Sequence, residues 1–197
     1  LKDVAARKPV IVNKGGLTEA GSRAVESHTA SMGGSKRIWE AVLRQAGAVQ
    51  VGDLWEMAQT CLAFSLLPPR VYEHITVAGG GGALGVSACD QAELYGLSIP
   101  QLDPEITKAI LEHLPRPGSS AKNPIDAANP FVGPQAYREV FLKAAGDQRV
   151  DAQILIQLLY HYKSLSSAMG LSSPKEIAPY RQLADEMKGV VDATGKP

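Results

Sequence analysis

Two short stretches carry residue types suited to chemistry. The first is Glu26-Ser27-His28-Thr29-Ala30-Ser31-Met32-Gly33-Gly34-Ser35, in which His28 stands among small residues that leave an imidazole accessible. Histidine changes charge near neutral pH and is a competent nucleophile. Ser35 suits the cap of a helix starting at Lys36, and such a helix turns unsatisfied N–H groups and a partial positive charge back toward the histidine, where a phosphate is stabilised. Taken alone, a loop histidine is more often a surface or hydrogen-bonding residue, and the spacing leaves both readings open.

The second stretch is Ala78-Gly79-Gly80-Gly81-Gly82-Ala83-Leu84-Gly85, between an apolar strand and a helical pattern. Without Cβ atoms its backbone can approach an anion closely, so Gly79, Gly80, Gly81 and Gly82 suit a phosphate or carboxylate site; the alternative is a glycine turn required for tight strand-to-helix packing. Gly80, Gly82 and Gly85 also satisfy the dinucleotide pattern G-x-G-x-x-G. The acidic residue expected at the end of a second strand is missing, because Ile99-Pro100-Gln101-Leu102-Asp103-Pro104 is interrupted by prolines, which argues against a nicotinamide site. Asn123 and Asp126, in Asn123-Pro124-Ile125-Asp126, read equally as substrate-site groups or as an ordinary turn. His74 and His113 read as structural. His161, between Tyr160 and Tyr162, is expected at the carboxyl end of a strand, a place that suits a site; the alternative is that the tyrosines there cover the sheet. The spacing shows no metal centre: Cys61 and Cys89 lie far apart in apolar stretches and read as reduced core thiols.

The elements that must position these residues follow from periodicity. Pro9 to Asn13 is a β-branched run stopped by Gly15-Gly16, as for a buried parallel strand with chemistry at its carboxyl end. A polar loop is expected over 17–34, then a helix over 36–45, a strand over 48–51 and a helix capped by Asp53. Pro68-Pro69 cannot continue a helix and marks a linker. Beyond it the spacing predicts a strand over 74–78, a helix over 84–95 ended by Gly96, helices over 104–114 and 134–145, a strand over 152–159 and a helix over 177–191. Strands alternating with helices predict parallel sheets. The first seven residues read as the last turns of a helix and the end leads toward a strand that does not follow, so both units are expected to be incomplete. With 197 residues, 45% hydrophobic, the chain is long enough for one large or two small cores. Lys+Arg and Asp+Glu balance at 20 each, which favours neither nucleic acid nor an anionic membrane, and no apolar run reaches the ~20 residues of a membrane span, so a cytoplasmic protein is expected.

The blocks Lys8-Pro9-Val10-Ile11-Val12, Lys14-Gly15-Gly16, Thr18-Glu19-Ala20-Gly21, Glu26-Ser27-His28-Thr29, Gly34-Ser35 and Arg44-Gln45-Ala46-Gly47 resemble, in order and spacing, the NDP-forming acyl-CoA synthetases, relatives of succinyl-CoA synthetase. Gly79 to Gly82, Leu94-Tyr95-Gly96-Leu97 and Lys122-Asn123-Pro124-Ile125-Asp126 look like the next domain of the same family. The resemblance implies an α/β protein of two flavodoxin-like parallel-sheet units, about 1–66 and 70–197. It implies that His28 is the phosphorylated histidine and that the glycine-led helix is directed at phosphate, with Ser35 beside it. The implied reaction interconverts acyl-CoA, NDP and phosphate with acid, CoA and NTP through an acyl-phosphate and a phosphohistidine, with CoA, ADP or ATP, phosphate and Mg as cofactors. The implied partners are CoA-binding and ATP-grasp domains or subunits in an oligomer. This stretch alone is then expected to lack the full activity. Ala30 stands where the family commonly has glycine. A different class is a non-catalytic regulatory or scaffold module, as in ligase-like domains fused to protein acetyltransferases; retention of His28 argues against it.

Overall fold

The computed structural model describes residues 1–29 and 35–197, with the side chains of His28 and Thr29 left out. The chain forms two compact units, Leu1–Pro69 and Arg70–Pro197.

In the first unit, helix α1 (Lys2–Ala5) precedes strand β1 (Ile11–Asn13), helices α2 (Glu19–Thr29) and α3 (Lys36–Ala46), strand β2 (Val49–Val51) and helix α4 (Leu54–Leu66). The strands pair in parallel, Ile11 opposite Val49 and Asn13 opposite Val51, and the Asn13 amide donates to the Val51 carbonyl at 3.2 Å. Gly47 ends α3 at φ 71°, a left-handed position that glycine takes without a Cβ penalty. Asp53 caps α4 by accepting from the Glu56 N–H at 2.7 Å, while Glu56 reaches back to the Gly52 N–H. Leu43 and Val51 are the buried apolar residues of this unit among those described.

Three expectations change here. The polar loop over 17–34 contains helix α2, so His28 lies in the last turn of a helix and not in a loop; residues 30–34 and the His28 side chain lie outside the described residues. Thr18 starts α2, its hydroxyl accepting from the Gly21 N–H at 3.1 Å and its carbonyl from the Ser22 N–H at 2.8 Å, and Glu19 pairs with Arg23 one turn on. Gly21 packs on Gly16, and Val25 lies above it. Ser35 occupies the cap position of α3 but makes no capping bond through its side chain. Cys61 is exposed and Cys89 half-buried, both free thiols and neither in a core. The reason for Cys61 is that α4 is apolar on most sides, and it leaves Leu54, Trp55, Leu62, Phe64 and Leu66 exposed and buries none of its residues.

The second unit is built on strand β3 (Ile75–Gly79), buried at every residue and flanked in parallel by β4 (Ile125–Asp126) and β5 (Ala152–Ile156), in the order β4-β3-β5. Its helices are α5 (Gly82–Leu94), α6 (Pro104–Leu111), α7 (Pro134–Ala144), α8 (Leu159–Ala168) and α9 (Tyr180–Thr194). Alternate residues of β3 serve the two faces: Ile75 and Val77 pack with Ala92 of α5, while Ala78 joins a larger core around Ile110, Tyr137, Val140 and Phe141. Helix α7 packs against both α6 and α9 on that second face.

The expected strand over 152–159 stops at Ile156, and Tyr160, His161 and Tyr162 belong to the first turn of α8. The physical reason is that Tyr162 and Ser166, four residues apart, both face inward and are buried, a helical spacing that the continuous apolar run before them concealed.

Candidate functional site

The carboxyl ends of β3, β4 and β5 come together around the glycine turn, as expected for parallel strands whose crossover helices leave loops on one edge. Gly79 ends β3, Gly81 is the cap residue of α5 and Gly82 its first residue. Each of the four is held tightly. A Cβ on Gly79 would lie 2.5 Å from the Ile156 carbonyl oxygen, and one on Gly80 2.6 Å from that of Asn129. A Cβ on Gly81 would meet Leu158 Cδ1 at 2.8 Å, and one on Gly82 the Asp126 carboxylate at 2.8 Å. None of the four has a left-handed backbone, so their function in the fold is close approach and not turn geometry.

Asp126 therefore stands at the start of α5. Its Oδ1 accepts from the Ala128 N–H at 2.8 Å, and a carboxylate there complements the positive end of the helix. Below it, the Tyr137 phenol is 1% exposed; burial first, then the neighbouring Tyr162 and Asp126, push its pKa up to about 12, so it stays neutral.

Asn123 is brought to the same strands but faces the core. Its Oδ1 accepts from the Val77 N–H at 3.1 Å, and its Nδ2 donates to the carbonyls of Ile75 at 2.9 Å and Pro100 at 3.0 Å. The side chain acts as a substitute strand beside β3, extending the ladder where the two-residue β4 is too short. All of its amide groups serve the backbone.

Sequence reasoning missed a group of rings on this edge. Phe131 stands edge-on to Tyr162 and to His161, and Tyr160 lies against His161. The order Tyr-His-Tyr was visible, but Phe131, thirty residues away, was not a signal by itself. His74, read as structural, pairs its Nδ1 with Asp151 Oδ2 at 3.4 Å at the opposite end of β3.

In the first unit, an open cleft of about 560 Å³ lies at the carboxyl ends of β1 and β2, lined by Lys14, Gly16, Thr18, Lys36, Glu40 and Gly52 among others. Lys14 sits 5.4 Å from the centre of the Trp39 ring. Glu40 pairs with Lys36 at 3.8 Å, so the charged groups named here leave one net positive charge at this edge of the sheet. Among the described residues no three His, Cys, Asp or Glu side chains gather as a metal cage. No helix among them is long and apolar enough to cross a membrane.

Comparison with known proteins places this architecture. Residues 1–64 match the model of the succinyl-CoA ligase like flavodoxin domain. The chain is similar to the alpha subunit of acetate–CoA ligase [ADP-forming] I of Pyrococcus furiosus, 36% identical over 125 residues, which is 64% of this chain and 27% of that protein. It is 34% identical over 155 residues to the alpha subunit of the corresponding ligase II of the same organism, covering 79% of this chain and 33% of the relative. The structure resembles a dinucleotide forming acetyl-coenzyme A synthetase 1 of Ca. Korarchaeum cryptofilum, solved in complex with phosphate and ADP, with a TM-score of 0.72 and 26% identity over 96% of this chain and 38% of that one. The chain thus spans a third or less of the length of these curated relatives. With two parallel α/β units, a matching flavodoxin-like domain and alignments that run on into the second unit, the chain belongs to the NDP-forming acyl-CoA synthetases and corresponds to a part of their length.

Proposed function

We propose that this chain is the phosphohistidine-bearing portion of a cytoplasmic acyl-CoA synthetase that forms NTP from NDP. Its carrying observation is the glycine turn: the ends of a fully buried central strand and of both its neighbours converge on Gly79 to Gly82, which open a helix, and the first N–H groups of a helix have no partner within it. Such a turn suits the phosphoryl group of an acyl-phosphate. Asp126 already lies at this helix end, so an incoming phosphate meets a like charge and requires a cation from elsewhere to share the turn. In the unit that carries His28 and Ser35, Lys14 and Lys36 line the cleft at the carboxyl ends of β1 and β2, with Glu40 paired to Lys36 at 3.8 Å.

The reaction balances in three transfers. A phosphate oxygen attacks the thioester carbonyl and CoA leaves as thiolate; a nitrogen of His28 then takes the phosphoryl group while the carboxylate leaves; finally an oxygen of the NDP takes the phosphoryl group and frees the imidazole. Splitting one difficult transfer into easier ones is what a covalent nucleophile contributes. CoA and nucleotide would be held mainly by CoA-binding and ATP-grasp parts, in the same chain or on another subunit.

The test uses the full-length protein with γ-labelled NTP. Label that is acid-labile and base-stable at His28 is expected, and His28→Asn should abolish both that label and NTP formation while leaving the fold intact, since no other group can take over a missing nucleophile. A His28→Asn enzyme that makes NTP near the wild-type rate refutes the mechanism, and an unlabelled wild type points to a non-catalytic module instead.

A further inference from the structure

The chain enters the second unit at the amino end of β3, the end away from the glycine turn. Arg70, the first residue of that unit, directly follows Pro68-Pro69. None of the residues from Arg70 to His74 is buried, and Val71 is 76% exposed. Apolar packing therefore holds this stretch weakly, and polar bonds must carry most of the hold.

Those bonds converge on Asp151, the residue before β5. Its Oδ2 accepts from the N–H groups of Glu73 at 3.0 Å and His74 at 2.9 Å, and lies 3.4 Å from His74 Nδ1. Its carbonyl accepts from Arg70 Nη2 at 2.8 Å, and the Arg70 guanidinium lies 5.0 Å from the centre of the Tyr72 ring. Its own N–H donates to the His74 carbonyl at 2.8 Å. On the other side, the Ser98 N–H donates to the Glu73 carbonyl at 2.7 Å. Glu73 and His74 are thus pinned from two sides, whereas Arg70 reaches Asp151 across the intervening Val71 and Tyr72. The His74 and Asp151 side chains keep 40% and 33% of their surface in solvent, so these bonds can open without opening a core.

Two consecutive prolines stiffen the chain just before this anchor. A stiff dipeptide joined to a pinned residue leaves the unit in a fixed direction. Joined to three loose residues it pivots, and the tether gains about 10 Å of reach. Tether length sets the effective concentration of one linked unit at another.

We propose that Arg70 and Asp151 form a latch that fixes where the linker leaves the second unit, and that opening it turns Arg70 to Tyr72 into a hinge that lengthens the tether to the unit carrying His28. The latch is a property of the chain's own path and stands whether or not His28 is phosphorylated.

The test follows the 197-residue chain by backbone amide relaxation in NMR and by limited trypsin digestion, with Asp151→Ala removing the carboxylate and Arg70→Ala the guanidinium. In the wild type the Val71 amide should be as ordered as that of Val77 in β3, with an order parameter near about 0.85; in both variants it should fall below about 0.6 while Val77 stays unchanged. Cleavage between Arg70 and Val71, read as the fragment that begins at Val71, should rise at least about tenfold in Asp151→Ala, because two charge-assisted bonds to the carboxylate no longer oppose opening. Should Asp151→Ala loosen Val77 as well, Arg70→Ala decides the question, since the exposed Arg70 side chain is no part of the core. A Val71 amide already mobile in the wild type shows that no latch closes there, and one that stays rigid in either stably folded variant shows that another contact holds the linker. Either result overturns the proposal.

Discussion

Asp147 is 3% exposed yet stays ionised, because Arg149 grips it with two side-chain bonds, Nη2 to Oδ2 at 2.6 Å and Nε to Oδ1 at 2.9 Å. The hydrogen bond from Arg149 outweighs burial and holds the carboxyl pKa at about 2, below its ordinary 3.8. A depressed folded-state value stabilises the protein fully above the unfolded pKa and progressively less as pH falls from about 4 toward 2. Since Arg149 is half exposed, the contribution is discounted for solvent screening to about 1–2 kcal/mol. Urea unfolding of the second unit should show this loss between pH 4 and pH 2, and Asp147→Asn should flatten the slope; equal slopes in the two proteins would show that the pair is not coupled to folding. Asn123 teaches the complementary lesson about what residues reveal. Its sequence context announces a turn, but its hydrogen-bond partners at Val77 and Ile75 lie 46 and 48 residues away, and nothing local encodes them.

At the scale of elements, the glycines of the second unit separate into two kinds. Gly80 is pressed against backbone on the far side, the Asn129 oxygen and the Pro130 Cα, neither of which can rotate away, whereas Gly85 in the interior of α5 has only ordinary contact with Pro124 at 3.6 Å. Gly80→Ala should destabilise by about 2–4 kcal/mol through overpacking. Gly85→Ala should stabilise by about 0.5–1 kcal/mol, because alanine restricts the unfolded chain and suits a helix. Thermal unfolding of the two variants checks the contrast, and a harmless Gly80→Ala would mean that the turn has room to shift. Elements with strong local signals were legible in the sequence: the Asp53 cap, the glycine stops at Gly47 and Gly96, the break at Pro68-Pro69 and the strand leading into the glycine turn. Helix α2 was not, because Glu19 to Thr29 is polar and rich in small residues, and its support comes from Thr18 at its start and from the packing of Gly21 on Gly16. The boundary between β5 and α8 was hidden because an apolar run has no period of its own, and only the inward facing of Tyr162 and Ser166 fixes where the helix begins. The glycine turn was legible as a strand-to-helix junction because strand, glycines and helix are contiguous; the ring group was not, because it is assembled by tertiary structure.

Across the whole molecule the two units differ in how much holds each together. The second has a central strand buried on both faces, with separate clusters around Val77 and around Tyr137, Val140 and Phe141. The first has a two-stranded sheet, with Leu43 and Val51 as its buried apolar residues among those described, and a helix, α4, that leaves Leu54, Trp55 and Leu66 three-quarters exposed. Two fully buried side chains contribute about 3–6 kcal/mol of burial, against an ordering cost of about 1–2 kcal/mol for each residue fixed, so partly buried contacts and hydrogen bonds must carry most of that unit. It should therefore open first. Native-state hydrogen exchange with rising denaturant should find the amides of β1 and β2 opening at a free energy at least about 2 kcal/mol below those of β3. The paired amide of Val77, bonded to a buried asparagine, is a suitable reporter for the second unit, and that of Val49, bonded to the Val10 carbonyl at 2.8 Å, for the first. A common opening free energy for both reporters would show that the 197 residues unfold as one cooperative block and that the small core of the first unit is not its weak point.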